Sequence, residues 1–402
     1  MLNQPFSPWP SYSQEEADAV SRVLLSNRVN YWTGTECREF EKAFAAFSDA
    51  RHAIAVANGT VALDLALYGL GIGDGDEVIV PPRTFLATAS AVVNAGATPV
   101  FADIDRDSQN ITAATIAPLI NDRTRAIICV HLAGWPCDMD EIVALARRHG
   151  LFVIEDCAQA HGARYRGQSV GALGDVGCWS FCQDKIMTTG GEGGMVTTND
   201  DALWSRMWSF KDHGKSWQAV YERQHPPGFR WLHETIGTNW RMTELQGVIG
   251  RIQLERMPQW HRARTQHASR ILDCAASLPG LRVARPPAHA EHAWYKCYVF
   301  LDPAGLAPGW SRERVMDEII ARGVPCYTGS CSEVYLEKAF VDRGLAPAER
   351  LPAARELGET AMLFLVHPTL TDQEIAKTCD VLADVMHLAA PLHESSPARK
   401  RV

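Results

Sequence analysis

Short apolar segments alternate with longer amphipathic segments between residues 52 and 157, and this alternation constrains the fold more than any other feature of the chain. Patterns typical of buried strands lie at 52–58, 77–81, 98–104, 125–132 and 151–157. Helical patterns follow three of them, at 61–70, 84–95 and 138–149. Strands separated by helices of this length join through right-handed crossovers, so their sheet is mostly parallel and covered on both faces. The sequence therefore predicts an α/β fold.

The first fifty residues are predicted to form two helices joined by a loop. Ser13 and the pair Glu15–Glu16 precede a helical pattern that extends to residue 26, which indicates a capped helix. The segment 28–36 contains a glycine and aromatic residues that we expect to be exposed in a loop. A second helical pattern has apolar residues on one face, which favours core packing: Phe40, Phe44 and Phe47.

After residue 240 the pattern changes to that of a smaller α+β unit. Helices are predicted at 241–275, 311–322 and 371–388, and strand-like segments at 294–300 and 324–329. We therefore divide the chain into a large domain, residues 1–260, and a small C-terminal domain, residues 261–402. The tail over 390–402, which ends in a short basic run, is expected to be disordered.

Charge and composition exclude several classes of protein. A net charge of −8 gives no electrostatic support for nucleic-acid binding. No apolar run approaches the roughly 20 residues of a membrane span, and the N-terminus lacks the pattern of a secretory signal. The 11 cysteines are scattered, with no CxxC pair and no zinc-ligand spacing. We expect a cytoplasmic protein with reduced, buried thiols, no metal and no membrane contact.

Ligands of open parallel sheets bind where the strands end, and two features lie at such positions. In 57-ANGTVALDLAL-67 a strand ends and a helix begins at Gly59 and Thr60. The free N–H groups of a helix N-terminus, with a hydroxyl beside them, can hold a phosphate, although this pattern taken alone favours a plain capped helix. Phe85 also follows a strand, where it could stack on a planar ring or simply pack in the core.

An acid pair, Glu155 and Asp156, ends the apolar strand 151–157. Burying a carboxylate is costly unless a positive partner is present, and a protonated ring nitrogen of a ligand would serve. Gln159 and His161 follow directly and supply hydrogen-bond donors. A helix cap is the alternative interpretation, but two acids directly after a buried strand favour a functional role.

A single lysine, Lys185, lies between the strand 176–180, which ends at Ser180, and the glycine-rich segment 188-TTGGEGG-194. The glycines make this segment flexible and allow the backbone to approach a ligand closely. A lone lysine is usually a solvated surface charge. In a partly desolvated site, however, its neutral amine becomes a nucleophile.

Taken together, these features meet the requirements of pyridoxal phosphate (PLP). This cofactor needs a lysine for its covalent Schiff base, a carboxylate to keep its pyridine nitrogen protonated, an anion site and a group that stacks on its ring. We therefore predict that Lys185 is the Schiff-base lysine.

Four motifs in this order resemble the DegT/DnrJ/EryC1/StrS family of PLP-dependent sugar aminotransferases, from about residue 8 to about residue 385. The motifs are NGTxAL from residue 58, EDCAQAHGA from residue 155, SFxxxK with TTGGEGG from residue 180, and GTNWRMTELQ from residue 237. The resemblance implies the aspartate-aminotransferase-like fold type I, with a large PLP-binding domain at 1–260. It also implies a homodimer whose active sites are shared between subunits.

Residue by residue, the resemblance implies a role for each position that matches a motif. Lys185 would hold the cofactor covalently and act as the acid/base, and Asp156 would pair with the pyridine nitrogen. Gln159 would contact the ring hydroxyl and Phe85 would stack on the ring. The phosphate would be held by residues of both subunits: Gly59, Thr60, Ser180 and, from the other subunit, Asn239.

The reaction implied by the resemblance is transfer of the amino group of L-glutamate to a keto-sugar destined for a surface polysaccharide such as lipopolysaccharide. The family-wide acceptor is a nucleotide-linked 4-keto-6-deoxyhexose. The segments 181–196, 30–34 and 130–140 also resemble a subgroup that includes an enzyme aminating an 8-keto derivative of the sugar acid Kdo. A non-catalytic PLP-binding regulator on the same fold is a further alternative, and the lysine, acid and phosphate site together argue against it. A metal-dependent hydrolase is another, but His131, His161 and His213 show no paired ligand spacing.

Overall fold

A seven-stranded sheet lies at the centre of the computed structural model, which describes residues 4–225 and 231–391. Two helices precede the first strand, α1 (Gln14–Leu25) and α2 (Glu36–Phe47). Strands and helices then alternate in the order β1 (His52–Val56), α3 (Gly59–Leu70), β2 (Glu77–Val80), α4 (Ala87–Asn94), β3 (Thr98–Phe101), α5 (Ala113–Ile116), β4 (Thr124–Val130), α6 (Met139–His149) and β5 (Phe152–Asp156).

The second half of the chain completes this sheet and adds two smaller ones. Its first elements are β6 (Arg164–Tyr165), β7 (Gln168–Ser169), β8 (Val176–Ser180), β9 (Gly194–Thr198), α7 (Asp201–Lys211), α8 (Trp217–Tyr221) and α9 (Glu244–Ala276). The elements that follow are β10 (Leu281–Arg282), β11 (Ala290–Glu291), β12 (Cys297–Leu301), α10 (Arg312–Ala321), β13 (Cys326–Tyr327), α11 (Lys338–Val341), α12 (Pro352–Thr360), β14 (Ala361–Phe364) and α13 (Asp372–Ala389).

The prediction of a mostly parallel sheet is confirmed. The strands lie in the order β1-β9-β8-β5-β4-β2-β3, and every neighbouring pair from β8 to β3 is parallel. β9 was not predicted, and it is antiparallel to both of its neighbours, β1 and β8. The C-terminal α+β part contains the four-stranded antiparallel sheet β10-β12-β14-β13.

Helix ends follow the signals in the sequence. Ser13 and Glu16 form a capping box at α1, where the Ser13 N–H donates to Glu16 Oε2 at 2.7 Å. α3 ends at Gly71, whose φ of 73° is left-handed and therefore favours glycine. Among the helices within residues 4–225 and 231–391, none combines the length and apolar character that a membrane span requires.

The division into domains at residue 260 stays a prediction. α9 runs without a break through that position and packs against α1 and α2 as well as against α13. Of the tail predicted to be disordered, residues 392–402 lie outside the described residues, whereas Ala390 is buried and its N–H donates to Met386 O.

The prediction that the aromatic residues of 28–36 are exposed is wrong for Tyr31, which is only 1% exposed. Its hydroxyl donates to Glu41 Oε2 at 3.0 Å and accepts from Trp208 Nε1 at 3.3 Å. The Lys211 ammonium lies 3.8 Å from the centroid of its ring. Because these partners satisfy the hydroxyl and the ring, the tyrosine can be buried inside a loop.

Candidate active site

A cavity of about 520 Å³ lies at the carboxyl ends of β5 and β8, beside the first turn of α3. We call it the inner cavity. It brings together seven of the eight residues proposed from the sequence: Gly59, Thr60, Phe85, Asp156, Gln159, Ser180 and Lys185. The eighth, Asn239, lies outside this cavity, on an exposed segment whose backbone pairs with Asp212.

The first turn of α3 forms an anion cradle. The Asn58 side chain accepts the Val61 N–H at 2.9 Å, and the Asn58 carbonyl accepts the Ala62 N–H. The N–H groups of Gly59 and Thr60 have no acceptor among the described residues, and they carry the positive end of the helix dipole. Two free donors at the rim of a cavity are suited to a phosphate.

Close packing of β8 against this turn requires glycine at position 59. A Cβ at Gly59 would lie 2.6 Å from the Cβ of Ser180 and 3.0 Å from its Oγ. The absence of a side chain therefore lets the Ser180 hydroxyl approach the free N–H groups, so that all of these donors face the same small volume.

Asp156 is a buried carboxylate at the floor of the inner cavity. Its Oδ2 accepts a hydrogen bond from Thr88 Oγ1 at 2.8 Å, and its Oδ1 accepts the Ala158 N–H at 3.1 Å. Desolvation raises the pKa of this carboxyl, although both hydrogen bonds and the charge of Lys185 act in the opposite direction. A cationic N–H of a ligand in the cavity would offset the cost of burial.

Glu155, the other half of the acid pair, points away from the inner cavity. Its Oε1 accepts the N–H groups of Leu173 and Gly174 at 2.8 and 2.7 Å. Its Oε2 accepts the Gly171 N–H at 2.8 Å and Nε2–H of His131 at 2.9 Å. The sequence-based suggestion that both acids are functional is therefore wrong for Glu155, which holds the loop 171–174 in place.

Gln159 and Phe85 present a donor and a ring to the inner cavity. The Ala133 N–H donates to Gln159 Oε1 at 2.7 Å, so the amide is oriented with its Nε2–H₂ group free to donate. Phe85 precedes α4 and is 69% exposed, so its ring is free to stack on a flat group.

Lys185 is half-buried, and its amine faces the inner cavity opposite Asp156. The ammonium lies 5.2 Å from the centroid of the Tyr295 ring, and within the described chain it makes no hydrogen bond and no ion pair. Its backbone carbonyl accepts from Trp9 Nε1 at 2.8 Å, which fixes the main chain at this residue. A lysine on the wall of a cavity, with a fixed main chain, favours the predicted role over that of a solvated surface lysine.

The glycine-rich segment that follows Lys185 is held by hydrogen bonds. The Thr188 N–H donates to Gln253 Oε1 at 2.8 Å, and Thr188 Oγ1 donates to Phe181 O at 2.9 Å. Thr189 Oγ1 donates to Glu192 O at 2.6 Å. We expected the glycines to make this segment flexible, but hydrogen bonds of two threonines hold it in place.

His161 does not join the site. Its ring is fully buried and packs against Trp179 and Phe181, with centroids 5.4 and 5.6 Å away. Burial is the largest cause that lowers its pKa, to about 3. Its ring therefore stays neutral and packs as a core side chain.

One group of potential metal ligands exists in the described part of the chain. Ligand atoms of His131, Glu155 and Cys157 lie within 4.8 Å of one another. Both oxygens of Glu155 already accept hydrogen bonds, and His131 Nδ1 accepts the Cys137 N–H at 3.0 Å. These atoms thus belong to a buried hydrogen-bond network. This arrangement does not favour the metal-dependent hydrolase considered above.

The structure adds residues that the sequence did not single out. Thr88 orients Asp156, whereas Trp9, Asp184, Tyr295 and Lys296 surround a second, larger cavity that meets the inner one at Lys185, Gln159 and Phe85. A signal existed for Thr88, which follows Phe85 by three residues at the start of a helix. We found none for the other four.

The structure fits PLP without rearrangement. The cradle supplies unpaired donors for a phosphate, Asp156 a buried carboxylate for a ring N–H, Gln159 a donor for a ring hydroxyl, and Lys185 an unpaired amine. These groups lie around one cavity and match the chemistry of this cofactor at each of its polar atoms.

Comparison with known proteins agrees with this assignment. Residues 10–383 match the model of the DegT/DnrJ/EryC1/StrS aminotransferase family. The chain is 35% identical over 371 residues to the GDP-perosamine synthase of Escherichia coli O157:H7, which covers 92% of this chain and 95% of that relative. It is 36% identical over 367 residues to the dTDP-3-amino-3,4,6-trideoxy-alpha-D-glucose transaminase of Streptomyces venezuelae, which covers 91% and 90%. The solved aminotransferase from Psychrobacter cryohalolentis is similar with a TM-score of 0.93 and 61% identity, covering 95% of this chain and 100% of that one.

Proposed function

The chain belongs to the DegT/DnrJ/EryC1/StrS aminotransferase family and is a PLP-dependent sugar aminotransferase of fold type I, and we propose that it transfers the amino group of L-glutamate to a nucleotide-linked keto-sugar. The proposed acceptor is a 4-keto-6-deoxyhexose destined for a surface polysaccharide. The names of two relatives support a nucleotide link, since one carries GDP and the other dTDP. Membership of an enzyme family argues against the non-catalytic regulator.

One observation carries the proposal most directly. The unpaired amine of Lys185 and the buried carboxylate of Asp156 face the same cavity, and the free N–H groups of the anion cradle lie at its rim. A lysine, an acid and a phosphate site around a volume of about 520 Å³ are the set that PLP requires.

We assign the cofactor contacts as follows. Gly59, Thr60 and Ser180 hold the phosphate, because their donors converge at the first turn of α3. Asp156 holds a proton on the pyridine nitrogen, and Thr88 keeps that carboxylate oriented. Gln159 donates to the ring hydroxyl, and Phe85 covers one face of the ring. When bound, PLP withdraws electrons from the substrate carbon that loses a proton.

Lys185 is assigned two tasks. Its amine holds the cofactor covalently before the substrate arrives. Once released, Nζ would act as a general base and acid at short range, moving a proton from the amino-bearing carbon of the donor to the cofactor and, in the second half-reaction, from the cofactor to the acceptor carbon. The Trp9 hydrogen bond to the Lys185 carbonyl limits the positions that Nζ can reach.

We propose that two copies of the chain share their sites. Asn239 would reach the phosphate bound by the partner, since it lies outside the inner cavity of its own chain. Its segment is rich in exposed apolar side chains, with Trp231 78% and Ile236 89% exposed, which a second copy would cover. The proposed location is the cytoplasm, which the many buried thiols suit.

The test begins with the cofactor and then turns to the substrate. Borohydride treatment of the purified, PLP-loaded protein is expected to leave one reduced cofactor, attached as a secondary amine with loss of water, on the peptide that contains Lys185. Lys185→Ala is expected to lose both this adduct and turnover, whereas Lys42→Met, a change of an exposed lysine, keeps both. Normal turnover by Lys185→Ala would refute the assignment.

A panel of keto-sugars, incubated with L-glutamate and analysed by mass spectrometry, tests the acceptor. We expect amination of a nucleotide-linked 4-keto-6-deoxyhexose and the formation of 2-oxoglutarate. Amination of an 8-keto sugar acid instead would establish the alternative acceptor. Amination of no sugar in the panel, with an intact glutamate half-reaction, would refute the proposed acceptor class and leave the cofactor chemistry standing.

A further inference from the structure

The second cavity, which we call the outer cavity, has a volume of about 1050 Å³ and opens from the inner cavity past Lys185. Its walls come from the N-terminal segment 6–9, from residues 295–298 and from residues 325–331. This volume adjoins the reactive lysine, because the two cavities share Lys185 and the side chains beside it. The charges on its walls therefore bear on which substrates bind there.

Lys296 is a half-buried cation on the wall of the outer cavity. Its ammonium lies 4.8 Å from the centroid of the Tyr295 ring, and among residues 4–225 and 231–391 it makes no hydrogen bond and no ion pair. Burial lowers the pKa of this lysine to about 8, although the charge of Asp184 raises it. An ammonium with three unused donors in a desolvated place is suited to an anion that is not part of the protein.

The groups around Lys296 do not neutralise it. Arg264 is fully buried, donates to the carbonyls of Trp294 and Tyr295, and has no carboxylate partner in the described chain. The charges of Arg264 and Lys185 both act to lower the pKa of Lys296. The nearest carboxylate, Asp184, already accepts a hydrogen bond from the Tyr295 hydroxyl.

His367 and Glu337 are two further titratable groups of the outer cavity, beside the hydroxyls of Tyr298 and Tyr327 and the thiols of Cys326 and Cys331. Burial, together with the charges of Arg264 and Lys296, lowers the pKa of His367 to about 3, so its ring is neutral. Glu337 lies on the wall but forms no ion pair with Lys296. On the walls of the outer cavity the acids Asp184 and Glu337 thus equal the lysines in number, but neither acid forms an ion pair with Lys296.

The ammonium of Lys296 is close to the place of reaction. Both ammonium groups lie near one ring, with Lys296 Nζ at 4.8 Å and Lys185 Nζ at 5.2 Å from the Tyr295 centroid. The two nitrogens are therefore no farther apart than the sum of these distances. That span suits a small acid whose reacting carbon is beside Lys185 and whose carboxylate is one to a few bonds away.

We propose that Lys296 is the carboxylate-binding residue of the outer cavity, and that its ammonium forms an ion pair with a carboxylate of the substrate while the reacting carbon lies beside Lys185. The inference rests on the proposed function and adds a substrate contact to it. Two substrates could supply the carboxylate, namely the amino donor or a sugar-acid acceptor. A single ammonium favours one carboxylate over the diphosphate of a nucleotide, which usually requires several donors.

The first measurement is binding of glutarate, an unreactive dicarboxylate, to the PLP-loaded protein, followed by tryptophan fluorescence. If the amino donor supplies the carboxylate, Lys296→Met is expected to raise the dissociation constant roughly 10- to 100-fold, less than for a fully buried charge pair because Lys296 is only half-buried. Lys296→Arg keeps the charge and is expected to stay within about threefold of the wild type. Lys42→Met, the matched loss of an exposed lysine, is expected to change nothing.

The second measurement identifies the source of the carboxylate. If the donor supplies it, Lys296→Met raises the L-glutamate concentration for half-maximal 2-oxoglutarate release in a single turnover. If the acceptor supplies it, glutarate and glutamate are unaffected, and the KM for an acidic keto-sugar rises while that for a neutral one does not. Each of these two results supports the inference.

The inference is overturned if Lys296→Met binds glutarate, glutamate and the acidic keto-sugar as the wild type does. It is also overturned if the variant weakens only nucleotide-linked acceptors, since the group bound is then a phosphate. If Lys296→Met does not fold, glutarate binding by the wild type and by Lys296→Arg is compared across pH, and this comparison tests the inference instead. Glutarate binding needs no turnover, so a wild type that binds glutarate through Lys296 but does not use glutamate would refute only the proposed donor.

Discussion

Exchanging each acid of the Glu155–Asp156 pair for its amide provides a matched test, because the same chemical change is made at adjacent positions with opposite expected results. In Glu155→Gln one oxygen is kept, and an NH₂ group replaces the other. That group would face two donors, for instance the Gly171 N–H and Nε2–H of His131. The His131 ring cannot accept instead, since its Nδ1 already accepts the Cys137 N–H.

Two hydrogen bonds to a charged acceptor are thus lost inside the protein. At about 1.5–3 kcal/mol for each, Glu155→Gln is expected to lower the free energy of unfolding by about 3–6 kcal/mol. This is a large part of the roughly 5–15 kcal/mol that stabilises a typical native protein. In urea, for a chain of this size, it corresponds to a fall of roughly 1 M in the midpoint.

Asp156→Asn is expected to behave differently in the cofactor-free protein. Burial raises the pKa of Asp156, so the folded state binds its proton more tightly than the unfolded state does. Ionisation of this group therefore costs stability as the pH rises above its unfolded pKa. The neutral amide removes that cost at pH 7, and the urea midpoint is expected to stay constant or rise, whereas PLP affinity falls.

The assay is urea unfolding of the cofactor-free proteins, followed by circular dichroism, with PLP titrations of the same samples. The reasoning would be refuted if Glu155→Gln unfolded at the wild-type midpoint. It would also be refuted if Asp156→Asn lost as much stability as Glu155→Gln, since both acids would then be structural.

Two further predictions concern the anion cradle and the outer cavity. Gly59→Ala places a Cβ 2.6 Å from that of Ser180, so PLP titrations should show about tenfold weaker binding, whereas Gly73→Ala, whose new Cβ would have its nearest neighbour at 3.5 Å, should bind normally. Lys296 is charged below its pKa of about 8, so, where the amino donor supplies the carboxylate, glutarate binding should be constant up to that pH and weaken about tenfold per unit above it. Lys296→Arg should remove this dependence between pH 6.5 and 9.5; a wild-type profile that is flat there would contradict the charge assignment.

Strand ends were the most informative part of the sequence. Parallel strands deliver their carboxyl ends to one edge, so Asp156, Ser180 and the start of α3 could be placed together without a model of the loops. Lys185 followed from the same reasoning, since it comes shortly after β8. The direction of each acid could not be read in the same way, because neighbouring residues of a strand face opposite sides and the sequence does not indicate which side holds the cavity.

The outer cavity could not be predicted, and one residue explains why. The aromatic segment 294–300 has the composition of a strand, but β12 begins only at Cys297. Trp294 has a left-handed φ of 51°, and the Tyr295 N–H donates to Ala133 O. The backbone is therefore not extended here, and Tyr295 and Lys296 face the outer cavity. This conformation depends on the contact with Ala133, which is distant in sequence.

β9 was missed because glycine and threonine in 194–198 give no apolar run, although the strand is fully buried. Pairing with β1 and β8 stabilises this strand although its side chains do not predict one, so tertiary context overrides local propensity. Asn239 stays a prediction, since its assigned contact belongs to a second copy of the chain.

The position of β9 has a consequence for synthesis on the ribosome. In the described chain β9 is the one strand that pairs with β1, where His52 lies opposite Thr198. Until residues 194–198 have emerged, the nascent β1 has both edges open, and an apolar strand in that state is prone to aggregate. A chain that stops before residue 194 should therefore depend on chaperones. The end of the sheet that forms the inner cavity should be among the last regions to fold.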